Sequence, residues 1–559
     1  MESLKSAINA MRKDYFMASV DLADAFYSIT IREQDRRYFR FYFNDIKYQF
    51  TALVMGYSSS PRIFTKILKP VFAYLRSLGH VSVYFIDDSW LVGDSYQSCM
   101  RNVNETVHLM DKLGLTVNQK KSVLEPCKKL IFLGFILCSE SMTVKLTFEK
   151  GEDIIKLCSK VLNTKRITIR VFAKLIGKLT AAEPGVKHAP LYIRPLEKIK
   201  ENELKLHKGN FDNFMNVPQS IHTTLLWWIE NIQISFKNIL SQDPNTVIYT
   251  DASLKMFGAF NETNGQKTNG FWSHEEQKLH INILEMKACE IGLRTFCKSS
   301  KNILVKLYTD NTTCCSYINR YGGKVRALDD IARRIWFWCI ERNIMLTAAH
   351  IAGVSNTHAD KLSRTGNDDI EWSLEQGIFD KILKHHQNIK IDLFASRLNA
   401  KLKKYVSRYP DPSAIAVDAF TFKWCDNLFY IFPPFSLIAR ILQKIERDHG
   451  KAILIAPIWP TQTWWPILMR LIKGPCLILP KVEKILKLEH KPNQKHPLKK
   501  MRLAVFDISG QVYEGKVYRE TLETSSYSPG EKAQENSTTH MLKNGYISVD
   551  GKLIPLIPI

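Results

Sequence analysis

The sequence predicts a multidomain α/β protein, and three observations predict it. At 559 residues the chain is far longer than one hydrophobic core usually serves, so three or four domains are expected. Short strand-like apolar runs alternate with helical stretches in three separate blocks. Between the first block and the second lies a helical, basic stretch from about residue 146 to 240.

The first block, from about 14 to 138, holds the strand-like "FMASVDLADAF", "VSVYFIDD" and "LIFLGFIL", with the helical "SPRIFTKILKPVFAYLRSL" between them. The connecting stretch carries "FEKGEDIIKLCSKVL", "IRVFAKLIGKLTAA" and "IHTTLLWWIENI", whose apolar residues recur at helical spacing. The second block runs from "NTVIYTDAS" through "INILEMKACEIGLRTF" and "NILVKLYTD" to "ADKLSR". The third starts near "IKIDLFASRLNAK" and reaches about residue 480. Beyond it come the basic "KILKLEHKPNQKHPLKK" and the polar "ETSSYSPGEKAQENSTT", which composition predicts to be disordered.

Composition narrows the function. Hydrophobic residues make up 45% and charged residues 24%, which is ordinary for a globular protein. The excess of 78 Lys+Arg over 55 Asp+Glu, a net of +23, favours a polyanionic partner, because each neutralised phosphate releases condensed counterions. Nucleic acid is the first candidate, and a solvated basic surface is the alternative. Eleven cysteines without Cys-x-x-Cys pairs indicate neither zinc nor a disulfide framework, so reduced thiols and an intracellular location, cytoplasmic or nuclear, are expected. "MESLKSAINAMRKDYF" has no apolar signal-peptide core, and Pro457, Pro460 and Pro466 interrupt the most apolar late stretch, so no membrane span is expected.

Two acidic constellations carry chemistry. Asp21 follows the apolar "YFMASV", and Asp87 with Asp88 sits at the tip of a candidate hairpin, "VSVYFIDDSWLVG". If these strands are neighbours, three carboxylates meet at one sheet edge and can hold two hard divalent cations. An Asp-Asp pair is also common turn chemistry. The order decides: "VDLADAFYSITI", "ALVMGYSSSPRIFTK", "YFIDDSWLVG", "LGLTVNQKKS" and "FLGFIL" resemble the successive palm motifs of retroelement reverse transcriptases over residues 15 to 138.

That resemblance implies a right-hand polymerase palm in which Asp21, Asp87 and Asp88 ligate metal. It implies that Phe26 excludes a ribose 2'-hydroxyl and that Gly56, Ser60 and Pro61 shape the floor under template and nucleotide. Lys120 or Lys121 would lie near the pyrophosphate, and "FLGF" would grip the primer. Phe26 as ordinary core, and Lys120 and Lys121 as an exposed end, are the plain alternatives. Phe85 stands where the family has tyrosine, which removes a hydroxyl but no metal ligand. Only twenty residues precede Asp21, so the fingers are expected to be largely missing, the chain N-terminally truncated, and primer extension weak.

In the second constellation Asp251 follows "TVIYT", Glu285 lies in a helical stretch, Asp310 ends "NILVKLYT", and Asp360 lies in "SNTHADKLSR". Four such carboxylates could bind two ions and position water against a phosphodiester, with His350 relaying a proton. Singly, each acid reads as a solvated residue or a helix cap. Together "YTDAS", "LEMKA", "YTDN" and "HIAGVSNTHADKLSR" resemble the ribonuclease H fold over about 246 to 366.

The third block, with "IDLFASRLNAKLKKYVS", "AVDAFTFKW" and "YIFPPFSLIARILQKI", resembles the adenine-methyltransferase-like module of DIRS-type, tyrosine-recombinase retrotransposons. Phe432 stands where that family's Asn or Asp accepts the adenine amine, so catalysis is not expected; Trp459, Trp464 and Trp465 are candidates for stacking on bases or for core.

The expected organisation is a reverse transcriptase palm at 1–140, a helical thumb or connection at 141–240, a ribonuclease H-like domain at 241–366, an inactive methyltransferase-like α/β domain at 367–480 and a basic, partly disordered tail at 481–559. The expected function is RNA-directed DNA polymerisation with hydrolysis of the RNA strand in RNA-DNA hybrids. It would use two Mg2+ or Mn2+ ions per site. RNA template, DNA primer, hybrid and deoxynucleoside triphosphates are the expected partners. The alternative is a relic that retains only ribonuclease H or only nucleic-acid binding.

Overall fold

The structure, a computed structural model, describes residues 2–239, 243–367, 371–524, 545–549 and 551–559. The chain divides into two compact units, Met1–Gln242 and Asp243–Ile559.

The first unit opens with α1 (Leu4–Ala10), β1 (Phe16–Asp21) and an exposed hairpin, β2 (Arg40–Phe43) and β3 (Ile46–Gln49). Next come α2 (Ser60–Ser77), β4 (Val81–Phe85), β5 (Asp88–Gly93), α3 (Tyr96–Lys112) and β6 (Val123–Cys127). Helix α2 begins with Pro61 in its first turn, where a missing N–H costs nothing. Its Phe64, Leu68, Phe72 and Leu75 recur at helical spacing and are buried. The sheet runs β4-β5-β1-β6 and is antiparallel throughout.

A second antiparallel sheet, ordered β12-β9-β8-β7, is built from β7 (Lys129–Phe132), β8 (Phe135–Cys138), β9 (Thr143–Leu146) and the late β12 (Lys237–Asn238). Between β9 and β12 lie α4 (Phe148–Leu162), β10 (Arg166–Thr168), α5 (Ile169–Ala182), α6 (Ala189–Leu206), β11 (Phe214–Asn216) and α7 (His222–Asn231). Trp90 and Val92 of the first sheet share one buried cluster with Phe172, Leu179, Leu225 and Trp228 of these helices. The palm-like and helical segments therefore have a common core, with no break near residue 140.

The second unit starts with a five-stranded sheet ordered β15-β14-β13-β16-β17, from β13 (Thr246–Ala252), β14 (Met256–Asn261), β15 (Lys267–Phe271), β16 (Leu304–Thr309) and β17 (Met345–His350). The first three form an antiparallel meander, and β13, β16 and β17 are parallel. Helix α8 (Ile281–Phe296) makes the crossover from β15 to β16, and α9 (Thr312–Asn319) with α10 (Arg326–Glu341) the one to β17. Helix α11 (Thr357–Arg364) packs on β14 so closely that a Cβ on Gly258 would meet the Ala359 carbonyl at 2.5 Å.

A short pair, β18 (Ser373–Leu374) with β25 (Leu486–Lys487), and α12 (Gln376–His385) flank a nine-stranded sheet. Its parallel part is β21 (Ala416–Val417), β20 (Tyr405–Ser407), β19 (Ile389–Ala395), β22 (Leu428–Ile431) and β23 (Lys451–Pro457). Helices α13 (Ile438–Asp448) and α14 (Trp465–Leu471) follow β22 and β23. Strand β26 (Leu503–Ser509) runs antiparallel between β23 and β24 (Cys476–Ile478), and β28 (Lys552–Pro558) and β27 (Tyr546–Val549) complete the edge.

This corrects the expected end of the third domain at 480 and the expected tail. Leu503–Ser509 enters the middle of the sheet, buried on both faces, because "LAVFDIS" is a near-continuous apolar run. Most of the polar stretch expected to be disordered, 525–539, lies outside the described residues. Trp464 and Trp465 are each 6% exposed and belong to the core, so of the three tryptophans only Trp459 keeps a partly open ring.

Candidate active sites

In the first unit β4 and β5 pair with Phe85 opposite Asp88, which leaves Ile86 and Asp87 as a two-residue turn. Ile86 takes a left-handed backbone (φ 58°), a conformation that favours such tight hairpins and strains a β-branched residue. On the other side of β5, Asp21 pairs directly with Asp88. Two of the three acids are thus cross-strand neighbours, and the Leu22 N–H donates to the Asp87 carbonyl at 3.1 Å, bringing the turn alongside.

Burial, then the charges of Asp87 and Asp21, push the Asp88 carboxyl up to about 6. Lys121 acts in the opposite sense on the same carboxyl, so of the two lysines it is the one placed to feel the site. Lys120 is exposed, its N–H turned to the Asn118 side chain at 3.2 Å. The backbone N–H of Asp21 donates to Ser122 Oγ at 3.0 Å, and its carbonyl accepts from the Asn118 N–H at 2.8 Å. Sequence reasoning missed Ser122, whose signal was its place directly after "NQKK".

Phe26 lies in a short 3-10 turn, half-buried, edge-on to Phe64 at 5.6 Å between centroids. Ser60 is fully buried and its hydroxyl donates to the Val54 carbonyl at 2.7 Å, so it shapes the loop and offers nothing to a ligand. Gly56 has φ 89°, open to glycine and costly to other residues. "FLGF" forms the β7–β8 hairpin, with Leu133 and Gly134 both at positive φ and Lys150 Nζ on the Leu133 carbonyl at 2.8 Å.

In the second unit, Asp251 near the end of β13, Glu285 on α8 and Asp310 just past β16 converge, with ligand atoms within 4.8 Å of one another. Among the described residues they are the group of three with metal-ligand spacing. Glu285 is 4% exposed, and its Oε2 has no hydrogen-bond partner. Burial first, then Asp251, Cys289 and Asp310, push its carboxyl up to about 9. Burial, with Asp310 and Asp360 as like charges, also raises Asp251, against a hydrogen bond from Ser363. Hard oxygen donors, crowded and one of them unpartnered, are what a divalent cation such as Mg2+ or Mn2+ satisfies, so the donor set fits.

The fourth predicted acid, Asp360, is not part of the group of three. It pairs with Arg364 one turn along α11 at 2.6 Å, while its neighbour Ser363 reaches Asp251. Ser363 follows Asp360 by three residues, the same helix face, which was the available signal. His350 is exposed at the end of β17, in register with Thr309 and so beside the strand end that carries Asp310. Buried Asn356 donates to the Thr250 carbonyl at 3.0 Å and ties the loop before α11 to β13.

In the third block the order of parallel strands reverses between β19 and β22, the position where open α/β sheets form ligand crevices beyond the strand ends. A cleft of about 820 Å³ lies there, lined by Ser396, Arg397, Asp418, Pro434 and Arg440 among others. Phe432 directly follows β22, half-buried against the core.

No helix of the described residues is long and apolar enough to cross a membrane. Residues 1–137 match the family Reverse transcriptase (RNA-dependent DNA polymerase). The putative enzymatic polyprotein of Cassava vein mosaic virus is 24% identical over 383 residues, 65% of this chain and 54% of that one. The Gag-Pol polyprotein of Gibbon ape leukemia virus is 26% identical over 218 residues, 37% of this chain and 12% of that one. The chain thus spans about half or less of these relatives. A foamy viral protease-reverse transcriptase solved in complex with RNA/DNA hybrid aligns at 16% identity with a TM-score of 0.38, over 67% of this chain and 50% of that one. That superposition is too loose to bear on the site. Residues 1–137 accordingly belong to the reverse transcriptase family, within a chain similar to retroelement polyproteins.

Proposed function

We propose that the protein is an RNA-directed DNA polymerase joined to a ribonuclease H, from a retroelement of the DIRS type. The observation that carries the reading is that two separate sheets each gather acids at a strand end: Asp21 opposite Asp88 beside the Asp87 turn, and Asp251 with Glu285 and Asp310. Divalent cations held at each centre would supply Lewis-acid activation of the attacking oxygen and charge stabilisation of the departing one. Asp21, Asp87 and Asp88 would hold them in the palm, with Phe26 beside the sugar and Lys121 near the pyrophosphate. Gly56 and Pro61 would set the floor beneath the base pair.

In the second site Asp251, Glu285 and Asp310 would be the ligands, with Asp360 completing the set once released from Arg364. Ser363 holds the Asp251 carboxylate in place. His350, open to solvent, would give a proton to the leaving 3'-oxygen as water adds to phosphorus. The third block is read as a methyltransferase-like fold without methyl transfer: its switch-point cleft supports the fold, and Phe432 offers no acceptor for an amine.

Primer extension on an RNA template and cleavage of an RNA-DNA hybrid, assayed on one preparation in Mg2+, test the proposal. Hybrid cleavage is expected, with primer extension the weaker of the two activities. Cleavage without extension leaves only the ribonuclease H reading, and nucleic-acid binding with neither activity overturns the enzymatic one.

A further inference from the structure

The third block meets the ribonuclease H-like domain through one half-buried arginine. Arg397, two residues past β19, forks onto Glu276 in the short 3-10 turn ahead of α8: Nη1 donates to Oε1 at 3.1 Å and Nη2 to Oε2 at 2.8 Å. Nη2 also donates to the Phe271 carbonyl at 2.9 Å. A planar fork on a carboxylate fixes direction as well as distance, which a lysine at the same place would not. Burial acts to raise the Glu276 carboxyl, yet the hydrogen bonds and charge of Arg397, with Lys287 of α8 at 2.8 Å, hold it down at about 2.

The same guanidinium lies 5.6 Å from the centroid of the Trp272 ring and 5.9 Å from that of Phe257. Those two rings form a small core cluster with Ala252, Leu284 and Ala288. Ala252 directly follows Asp251 at the end of β13, and Leu284 directly precedes Glu285 in α8, so the cluster is the wedge that sets how far apart two of the acids stand. Trp272 Nε1 donates to the Ser253 carbonyl at 3.0 Å, which pins the ring two residues past Asp251. Along the other route, the ion pairs from Arg397 to Glu276 to Lys287 end on α8 two residues past Glu285. Arg397 therefore reaches the acid-bearing elements twice, once through packing and once through charge.

We infer that Arg397 is a positioning residue for the acid cluster, so that the third block completes the site of its neighbour by holding Glu276 and the Trp272 wedge in place. The inference rests on the ribonuclease H reading for the metal that Asp251, Glu285 and Asp310 hold. It gives the methyltransferase-like block a use that needs no methyl transfer. Arg397 acts through its neighbours, and the acids themselves bind the ion. Loosening the wedge lets Asp251 and Glu285 relax away from each other, which relieves their repulsion and spoils the preformed set of donors.

Mn2+ alone is the probe, its binding read by electron paramagnetic resonance on the full chain carrying Asp87→Asn and Asp88→Asn, so that the palm acids contribute no strong site. Arg397→Ala and Glu276→Gln are each expected to weaken Mn2+ binding several-fold, and the two together no more than the worse of them, because they break one contact. Arg397→Lys, which keeps the charge and loses the fork, should fall between Arg397→Ala and the unsubstituted arginine. Lys298→Ala removes a different contact between the same two blocks, from Nζ to the Ala414 carbonyl at 2.6 Å just past the far end of α8, and should leave Mn2+ binding as it is. In Mg2+, hybrid cleavage by Arg397→Ala in the otherwise wild-type chain should show a lower kcat and a higher Mg2+ requirement while KM holds. Unchanged Mn2+ affinity in a folded Arg397→Ala chain would overturn the inference, as would an equal loss in Lys298→Ala. Should Arg397→Ala fail to fold, Glu276→Gln, which keeps the shape of the acceptor, decides alone, and unchanged affinity there overturns it. Mn2+ binding that depends on Arg397 in a chain that cleaves nothing would sink the ribonuclease H reading and leave the positioning role standing.

Discussion

Replacing Glu285 with Gln should make the metal-free protein more stable while weakening its response to metal. Glu285 is 4% exposed, with Oε2 unpartnered and two aspartates in reach, and its carboxyl is pushed up to about 9 from 4.5. The unfolded chain ionises this group near its ordinary value, so the folded state binds one proton more throughout the interval between. Stability therefore falls as pH rises from 4.5 toward 9, by about 1.4 kcal/mol per unit from this group alone. At about pH 7 that amounts to roughly 3 kcal/mol, and near pH 5.5 to about 1. Glutamine keeps an acceptor for the Ala252 N–H, removes the repulsion and cannot titrate.

Urea unfolding followed by tryptophan fluorescence in chelator, at both pH values, reads the difference. The Gln variant should gain about 3 kcal/mol at the higher pH and about 1 at the lower. Added Mg2+ should stabilise the wild type, since a ligand that binds only the folded state shifts the equilibrium, and should stabilise the variant less, by what the palm acids alone contribute. A variant less stable than wild type in chelator, or a gain that does not depend on pH, would refute the account of Glu285 as a strained ligand.

Phe26→Ala should admit ribonucleotides during extension and cost well under the roughly 3 to 5 kcal/mol of a fully buried ring, because Phe26 is only half-buried against Phe64; a large loss of stability with unchanged sugar choice would make it core. Gly258→Ala should depress hybrid cleavage and destabilise the second unit by about 1 to 3 kcal/mol, since the new Cβ meets α11 backbone and must push Ser363 and Asp360 from Asp251. Normal cleavage by that variant would show that α11 does not position the site.

What the sequence made legible was what local pattern controls. The helical stretches at 148–162, 169–182 and 281–296 coincide with α4, α5 and α8, because each carries an apolar stripe at helical spacing. The acids at strand ends were legible for the same reason: apolar runs that stop at Asp21, Asp251 and Asp310 locate the edge of a sheet. Pairing was not legible. Asp251 is held by Ser363, a contact that depends on how α11 seats against the sheet, whereas Asp360 is drawn to Arg364 one turn along the same helix, a local pair that competes with the acid cluster. Leu503–Ser509 was hidden behind the basic run, although its apolar continuity already marked a central strand. Adjacent Trp464 and Trp465 carry no period that tells core from surface, and the structure buries both.

A crossed pair of variants separates two independent acid-metal centres on one chain from a single shared one. Asp87→Asn and Asp310→Asn each remove one ligand charge while preserving size. Primer extension and hybrid cleavage should be measured on both variants and the wild type in Mg2+. Asp87→Asn is expected to lose extension and keep cleavage, and Asp310→Asn to lose cleavage and keep extension. Cleavage by Asp310→Asn at the wild-type rate, or loss of both activities in either variant, would contradict two independent centres.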